Sequence, residues 1–225
     1  MKAGAILLSG GKSSRMGTNK ALLPINEQPN IERLAALLKP HFRELILVTN
    51  HPEEYRFLQL PTVSDHYPGK GPLAGIHAGL TAAANELNVI VACDMPFISP
   101  ELAKMMLEQA ADYDAVVPMI NGQQHPLFSI FKKKAAAVME ESIRNDRLRM
   151  KQVLDLLNVR YLSENDLSMF KLGELERIFF NMNHPQEYEE AIQWVEKRSG
   201  PKPAQAVEPT TLSLAFGKLN DEVER

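Results

Sequence analysis

The sequence is short of four things, and each shortage removes a class of protein. It has one cysteine, Cys93, in 225 residues, so no disulfide can form within the chain, and this usage fits a reducing cytoplasm. No apolar run approaches the ~18 residues of a membrane-spanning helix. The first residues pass straight into an apolar strand, without the charged region, apolar stretch and cleavage site of a signal peptide. Basic charge is not in excess either: 25 Lys and Arg stand against 28 Asp and Glu, a net charge of −3, which argues against general nucleic-acid binding. The expectation is a soluble cytoplasmic protein with neither nucleic acid nor membrane as partner.

What is present is enough apolar residue, 44% of the chain, for one good core with room for a small extra lobe. Apolar, non-alternating runs at Ala3–Ser9, Glu44–Thr49, Asn88–Cys93, Asp114–Pro118, Pro126–Phe131 and Asn158–Leu162 read as strands. Helical patterns fall between most of them: Asn30–Lys39, Pro72–Asn85, Ser99–Ala111, Lys132–Ile143 and Pro185–Arg198. Ser99-Pro100-Glu101 combines an N-cap, a proline and a first-turn acid. Such alternation predicts an α/β protein around a mostly parallel sheet. After Arg198 the composition turns to Ser-Gly-Pro-Lys-Pro-Ala-Gln-Ala, a linker by content. The globular unit is therefore expected over 1–198, with 199–225 as a tail that holds at most one short ordered segment near Leu212–Phe216.

The first strand leaves through a long polar loop, Ser9 to about Lys20, longer than a simple connection needs. Two common glycine-loop motifs fail on register. The first glycine of a P-loop would fall at Ile6, inside the strand, and Gly10, Gly11 and Gly17 do not fit G-x-G-x-x-G. The chemistry of a phosphate site is still present. Gly10 and Gly11 let backbone N–H groups come close, and Arg15 and Lys20 bring positive charge. On this segment alone, a phosphate cradle and a solvated basic loop both remain open.

Residues 7–22 resemble the signature of the molybdenum cofactor guanylyltransferases, roughly L-A-G-G-x-S-x-R-M-G-x-D-K-A-L. The match runs through Leu8, Gly10, Gly11, Ser13, Arg15, Met16, Gly17, Lys20, Ala21 and Leu22. Ser9 stands in place of the usual alanine and Asn19 in place of the usual aspartate. Further segments resemble the same family in order: Val48-Thr49-Asn50; Asp65 followed by Gly71-Pro72-Leu73-Ala74-Gly75-Ile76 and Gly79-Leu80; Ala92-Cys93-Asp94-Met95-Pro96; and Asn181-Met182-Asn183-His184-Pro185, with His184 replacing a threonine. The resemblance spans about 1–198. It implies a Rossmann-like three-layer sandwich of nucleotidyltransferase type, a Mg²⁺-dependent enzyme, and GTP and molybdenum-molybdopterin as substrates. Other molybdenum cofactor biosynthesis proteins and acceptor molybdoenzymes are implied partners.

Several residues have a chemical reason to belong to such a site. Asp94 closes an apolar strand, where a carboxylate at a parallel strand's C-terminal end faces the ligand crevice. A carboxylate completed by phosphate oxygens and water is a usual Mg²⁺ seat, and Asn183 can add a neutral oxygen. Leu8, Ser9, Gly10, Gly11, Lys20, Asn50, Asp65 and Asp94 are implied nucleotide contacts. Arg15, Lys20 and Asp94 carry the catalytic expectation. A carboxylate or carbonyl at Asp65 or Asn50 can accept from guanine N1 and N2, although both residue types are also ordinary in turns. The small residues at 74, 75, 78 and 79 suit either close packing or a pocket wall.

His125-Pro126-Leu127-Phe128 resembles a stretch facing the acceptor, and a structural role for His125 is equally open. Arg144, Arg147, Arg149 and Lys151 form a basic cluster at a predicted helix junction, either a solvated face or a seat for a pterin phosphate. The histidines show no ligand spacing, which argues against zinc, and Cys93 in its apolar run reads as a buried, inert thiol. A CTP-dependent enzyme, one acting on another phosphorylated acceptor, and a non-catalytic nucleotide-binding regulator are the competing readings. The tail yields a direct expectation. Truncation after Arg198 leaves melting temperature and activity essentially those of the full chain, as thermal unfolding and turnover of both forms will check.

Overall fold

Strands buried on both faces read as continuous apolar runs, and the first strand, Gly-Ala-Ile-Leu-Leu, is buried throughout. The structure is a computed structural model; it describes residues 2–9 and 19–199, with side chains as far as Lys197. Among these residues the strands are β1 (Gly4–Leu8), β2 (Pro24–Ile25), β3 (Gln28–Pro29), β4 (Glu44–Val48), β5 (Thr62–Val63), β6 (Leu87–Ala92), β7 (Ala115–Ile120), β8 (Gln123–Gln124), β9 (Phe128–Lys132) and β10 (Val159–Leu162). The helices are α1 (Asn30–Leu38), α2 (Pro72–Ala82), α3 (Pro100–Glu108), α4 (Ala135–Arg144), α5 (Met150–Leu154), α6 (Leu172–Ile178) and α7 (Pro185–Ser199).

The main sheet has the order β10-β7-β9-β6-β1-β4-β5, with β8 paired to β7. β1 lies between β4 and β6 and is parallel to both, while β9 runs against its neighbours β6 and β7 and β8 runs against β7. Successive side chains of a strand point to opposite faces, so Leu7 enters one core layer and Ile6 the other. On the first face Leu34 and Leu38 of α1 and Leu102 and Met106 of α3 pack with Leu7, Leu47 and Val91. On the second, Leu73 and Ile76 of α2 and Met139 of α4 pack with Ile6, Ile46, Val48 and Ile90. The result is the expected three-layer α/β sandwich.

The signals that start α2 and α3 act as their chemistry dictates. Ser99 accepts from Leu102 N–H at 3.1 Å. Gly71, with φ of +74°, makes a turn that L side chains resist, and Pro72 then opens α2. The small residues of α2 serve the packing: a Cβ at Gly79 would run into Ile6 Cγ2 and crowd Val48 Cγ2 at 3.1 Å.

Several short elements go beyond the sequence expectation. The β2–β3 hairpin turns on Asn26 and Glu27, both at positive φ, and β7–β8 turns on Asn121 and Gly122, likewise. α5 and α6 were not expected. α4 starts at Ala135 rather than Lys132, because Lys132 still pairs with Leu87 in the ladder. The 199–225 tail, its Leu212–Phe216 segment included, lies outside the described residues apart from Ser199, the last residue of α7.

The α2–β1 contact gives a stability test. Gly79→Ala gains roughly 1 kcal/mol of helix propensity but overpacks a filled core at a cost of about 1–3 kcal/mol. Because the contact is with a fully buried branched side chain, overpacking wins. The variant should melt a few degrees lower (about 2–4 °C per kcal/mol at this size), measurable by calorimetry.

Candidate active site

Three strands set the floor of the site. Leu8 pairs with Val48 on one side and Ala92 on the other, so β1, β4 and β6 end level. The backbone continues that alignment: Ser9 N–H donates to Val48 C=O at 2.9 Å, and Cys93 N–H to Leu8 C=O at 3.0 Å. The polar residues that follow these strands therefore share one crevice, at β1, from which the chain departs first to β4 and later to β6. Crevices at such reversal points of open α/β sheets are where ligands bind.

Asp94 stands at the mouth of this crevice. Burial raises its pKa above the ordinary aspartate value, the positive charge of Lys20 works against that rise, and Glu187 adds to it. Its Oδ1 is buried and has no hydrogen-bond partner among the described residues. A buried carboxylate oxygen left unmatched is costly.

Lys20 reaches this point on a short 3₁₀ turn, Lys20–Leu22, anchored by the fully buried Ala21. Asn19 caps the turn, its Oδ1 accepting from Ala21 N–H at 3.2 Å. From there Lys20 Nζ donates to Asn183 Oδ1 at 3.2 Å. The segment carrying Asn183 is in turn tied to Asp94, whose backbone carbonyl accepts from Met182 N–H at 2.8 Å. Glu187, in the first turn of α7, accepts from Asn183 N–H and, at 2.8 Å, from His184 N–H. That is the glutamate half of a capping box, standing where His184 offers no hydroxyl.

This donor set suits a hydrated, oxygen-seeking cation. Among the described residues no three His, Cys, Asp or Glu side chains converge to hold a metal alone. Asp94, with Lys20 and, through Lys20, the Asn183 oxygen nearby, suits Mg²⁺, which keeps few protein ligands and fills its shell with phosphate oxygens and water.

The family model for the MobA-like NTP transferase domain matches residues 5–164, which contain this crevice. The chain belongs to that family. A probable molybdenum cofactor guanylyltransferase of Pelotomaculum thermopropionicum is 41% identical over 185 residues, 82% of this chain and 89% of that protein. Another from Carboxydothermus hydrogenoformans is 39% identical over 194 residues, 83% of this chain and 93% of the relative. Among solved structures, molybdopterin-guanine dinucleotide biosynthesis protein A from Archaeoglobus fulgidus aligns with a TM-score of 0.75 at 26% identity, covering 86% of this chain and 99% of that one.

Within this MobA-like domain, Ser9, Lys20, Asp94 and, from beyond the matched segment, Asn183 come together around the ends of β1 and β6. Gly10, Gly11 and Arg15 lie outside the described residues. Asn50 and Asp65 meet each other: Asp65 N–H donates to Asn50 Oδ1 at 2.9 Å, and Tyr67 N–H to Asp65 Oδ1 at 2.8 Å. Both side chains thus shape the turn after β4 and β5. Cys93 is half-buried rather than fully buried, yet burial with Asp94 alongside pushes its thiol up to about 12, so it stays protonated and unreactive.

His125 stacks on Phe179 with ring centroids 4.4 Å apart, and burial lowers its pKa. Arg144 is exposed and bonds Glu140 within its own helix, while Arg147, Arg149 and Lys151 are exposed around the α4–α5 junction. The sequence reading missed Glu187, although it lies three residues after His184 at capping-box spacing. It also missed Tyr55, buried with its hydroxyl between Ser9 and Asn19, for which no local pattern gives a signal.

The unmatched Asp94 oxygen predicts a conflict between stability and function. With its folded pKa raised, the native state holds the Asp94 proton more tightly than the unfolded chain does, so this contribution to stability is lost as pH rises through the folded value. In metal-free buffer at neutral pH, Asp94→Asn should therefore melt higher than the parent, by a few degrees for a buried-group cost of about 1–3 kcal/mol. The gain should fade as pH falls below the ordinary aspartate value of 3.8, where both states become protonated, as melting curves of the two proteins across pH will check.

Proposed function

We propose that this chain transfers GMP from GTP to molybdenum-molybdopterin, forming a guanine dinucleotide cofactor and releasing pyrophosphate. The observation that carries this reading is the unmatched, buried oxygen of Asp94 beside Lys20 and Asn183, at the crevice of a MobA-like domain whose curated relatives are named as guanylyltransferases. An oxygen of the molybdopterin terminal phosphate attacks the α-phosphorus of GTP. The bond from that phosphorus to the bridging oxygen breaks, and the electron pair leaves with pyrophosphate. The attacking phosphate is already anionic, so no strong general base is needed, and catalysis consists of positioning and charge neutralisation.

In this reading each residue has a task. Lys20 and Arg15 offset charge at the α-phosphate and on departing pyrophosphate. Gly10, Gly11 and the backbone after Leu8 and Ser9 give N–H groups to the triphosphate. Asp94 and Asn183 are the residues that would hold Mg²⁺. When bound, the ion neutralises phosphate oxygens. Asn183, oriented by Glu187, also keeps the Lys20 ammonium in place while the substrate site is empty. Asp65 and Asn50 serve the guanine base, with the turn they build fixing which of their oxygens faces outward. The reaction takes place in the cytoplasm, and the product passes to other molybdenum cofactor proteins and acceptor molybdoenzymes. No described helix is long and apolar enough to cross a membrane.

The decisive experiment follows pyrophosphate release from each of four nucleoside triphosphates, with Mg²⁺ and a molybdopterin-type acceptor. A site accepting the N1 and N2 donors of guanine is left with unpaired acceptors by another base, at about 1–3 kcal/mol each. GTP should exceed CTP in kcat/KM by at least about a hundredfold. A CTP preference would move the chain to cytidylyl transfer, and no pyrophosphate from any nucleotide with a verified acceptor would remove the reading.

A further inference from the structure

Ser9 and Asn19 are the last and first described residues on either side of the 10–18 segment, and one oxygen joins them. Ser9 Oγ–H donates to Tyr55 Oη at 2.5 Å, and Asn19 Nδ2–H donates to the same oxygen at 2.7 Å. Ser9 and Tyr55 are buried, Tyr55 at 3% exposure. Tyr55 itself sits in the 3₁₀ helix Pro52–Leu58 that follows β4, so its ring reaches the crevice from a third strand end. Asn19 is used fully: its second amide proton goes to Glu54 Oε2 at 2.7 Å, and its Oδ1 caps the turn carrying Lys20.

Without the Tyr55 hydroxyl, the buried Ser9 hydroxyl and one amide proton of Asn19 would lose this partner, and a buried donor left unpaired costs more than a made bond returns.

We infer that Tyr55 is a positioning residue for the proposed transfer, its hydroxyl oxygen clamping Ser9 to Asn19 and thereby fixing the turn that aims Lys20. Lys20 lies one residue beyond Asn19, and the Ala21 and Leu22 amides both bond Asn19, the first to its side chain and the second to its carbonyl at 3.0 Å. Freeing the Asn19 amide releases the cap and with it the direction of Lys20. Tyr55 touches no reacting atom in this scheme. The inference rests on the guanylyl-transfer reading for its kinetic consequence, but its structural content does not depend on that reading.

Three variants test it, each made in the full chain: Tyr55→Phe removes the hydroxyl alone, Ser9→Ala removes one partner, and Asn19→Ser removes the other, its shorter side chain keeping a capping oxygen. Amide exchange of Ala21 and Leu22 should quicken about tenfold in Tyr55→Phe, the effect of one hydrogen bond at the upper end of its usual worth. kcat for pyrophosphate release should fall about tenfold, while the GTP dissociation constant moves less than about twofold.

Ser9→Ala and Asn19→Ser should each cost about threefold in kcat. In the Tyr55→Phe background neither should cost more than about a further twofold, because the three act as one unit. Unchanged exchange at Ala21 and Leu22 overturns the clamp, and so do additive losses or a loss in GTP affinity equal to the loss in kcat. If Tyr55→Phe does not fold, the two donor deletions leave the ring in place and carry the same exchange test. If the parent protein releases no pyrophosphate, the transfer reading falls, and the exchange measurement still decides the clamp.

Discussion

The in-register ladder of β4, β1 and β6 is the constraint on which the rest of the molecule depends. Leu8 faces Val48 and Ala92 at one level of the sheet, so what each strand carries beyond its last rung must share a single crevice. A one-residue slip of β6 against β1 would turn its whole apolar set from one core layer into the other. The two layers, closed by α1 and α3 on one side and α2 and α4 on the other, hold that register. The precision of the site is a property of the core beneath it.

Above this floor the polar residues are organised as a chain of dependence. Glu187 fixes the backbone at Asn183 and His184, Asn183 accepts from Lys20, and Lys20 stands beside Asp94. Each member satisfies the next except the last, whose buried oxygen is left over. Native structures tolerate such an oxygen where function needs it.

Legibility in the sequence followed the range of the interactions. β1, β4 and β6 were readable as continuous apolar runs and the five long helices by their helical period, and Ser99 and Pro72 mark helix starts by local chemistry. Asp94 and Lys20 were readable from where they sit relative to β1 and β6. The β7–β8 hairpin carried an Asn121-Gly122 signal that the long-strand reading passed over, whereas Glu27 at positive φ in the β2–β3 turn is an unusual choice that no rule would select. Tyr55 was illegible for a different reason. It lies 46 residues from Ser9 and 36 from Asn19, and nothing local marks a tyrosine that will receive two distant donors. The turn role of Asn50 and Asp65 was an open alternative in the sequence, and only their mutual contact gives it a shape.

The reversal of β9 has a consequence for the far rim of the crevice. β9 runs against β6, and Phe128, at its beginning, pairs with Val91 near the end of β6. What β9 brings to the ligand side is therefore the turn that leads into it, His125–Leu127. That turn is stitched on both flanks, His125 N–H to Pro118 C=O at 2.9 Å and Ala92 N–H to Leu127 C=O at 2.9 Å, and the His125 ring lies against Phe179. This incoming segment takes its outline from the sheet itself. A molecule arriving on that side meets a contour already cast when the strands paired, as a key meets the fixed wards of a lock.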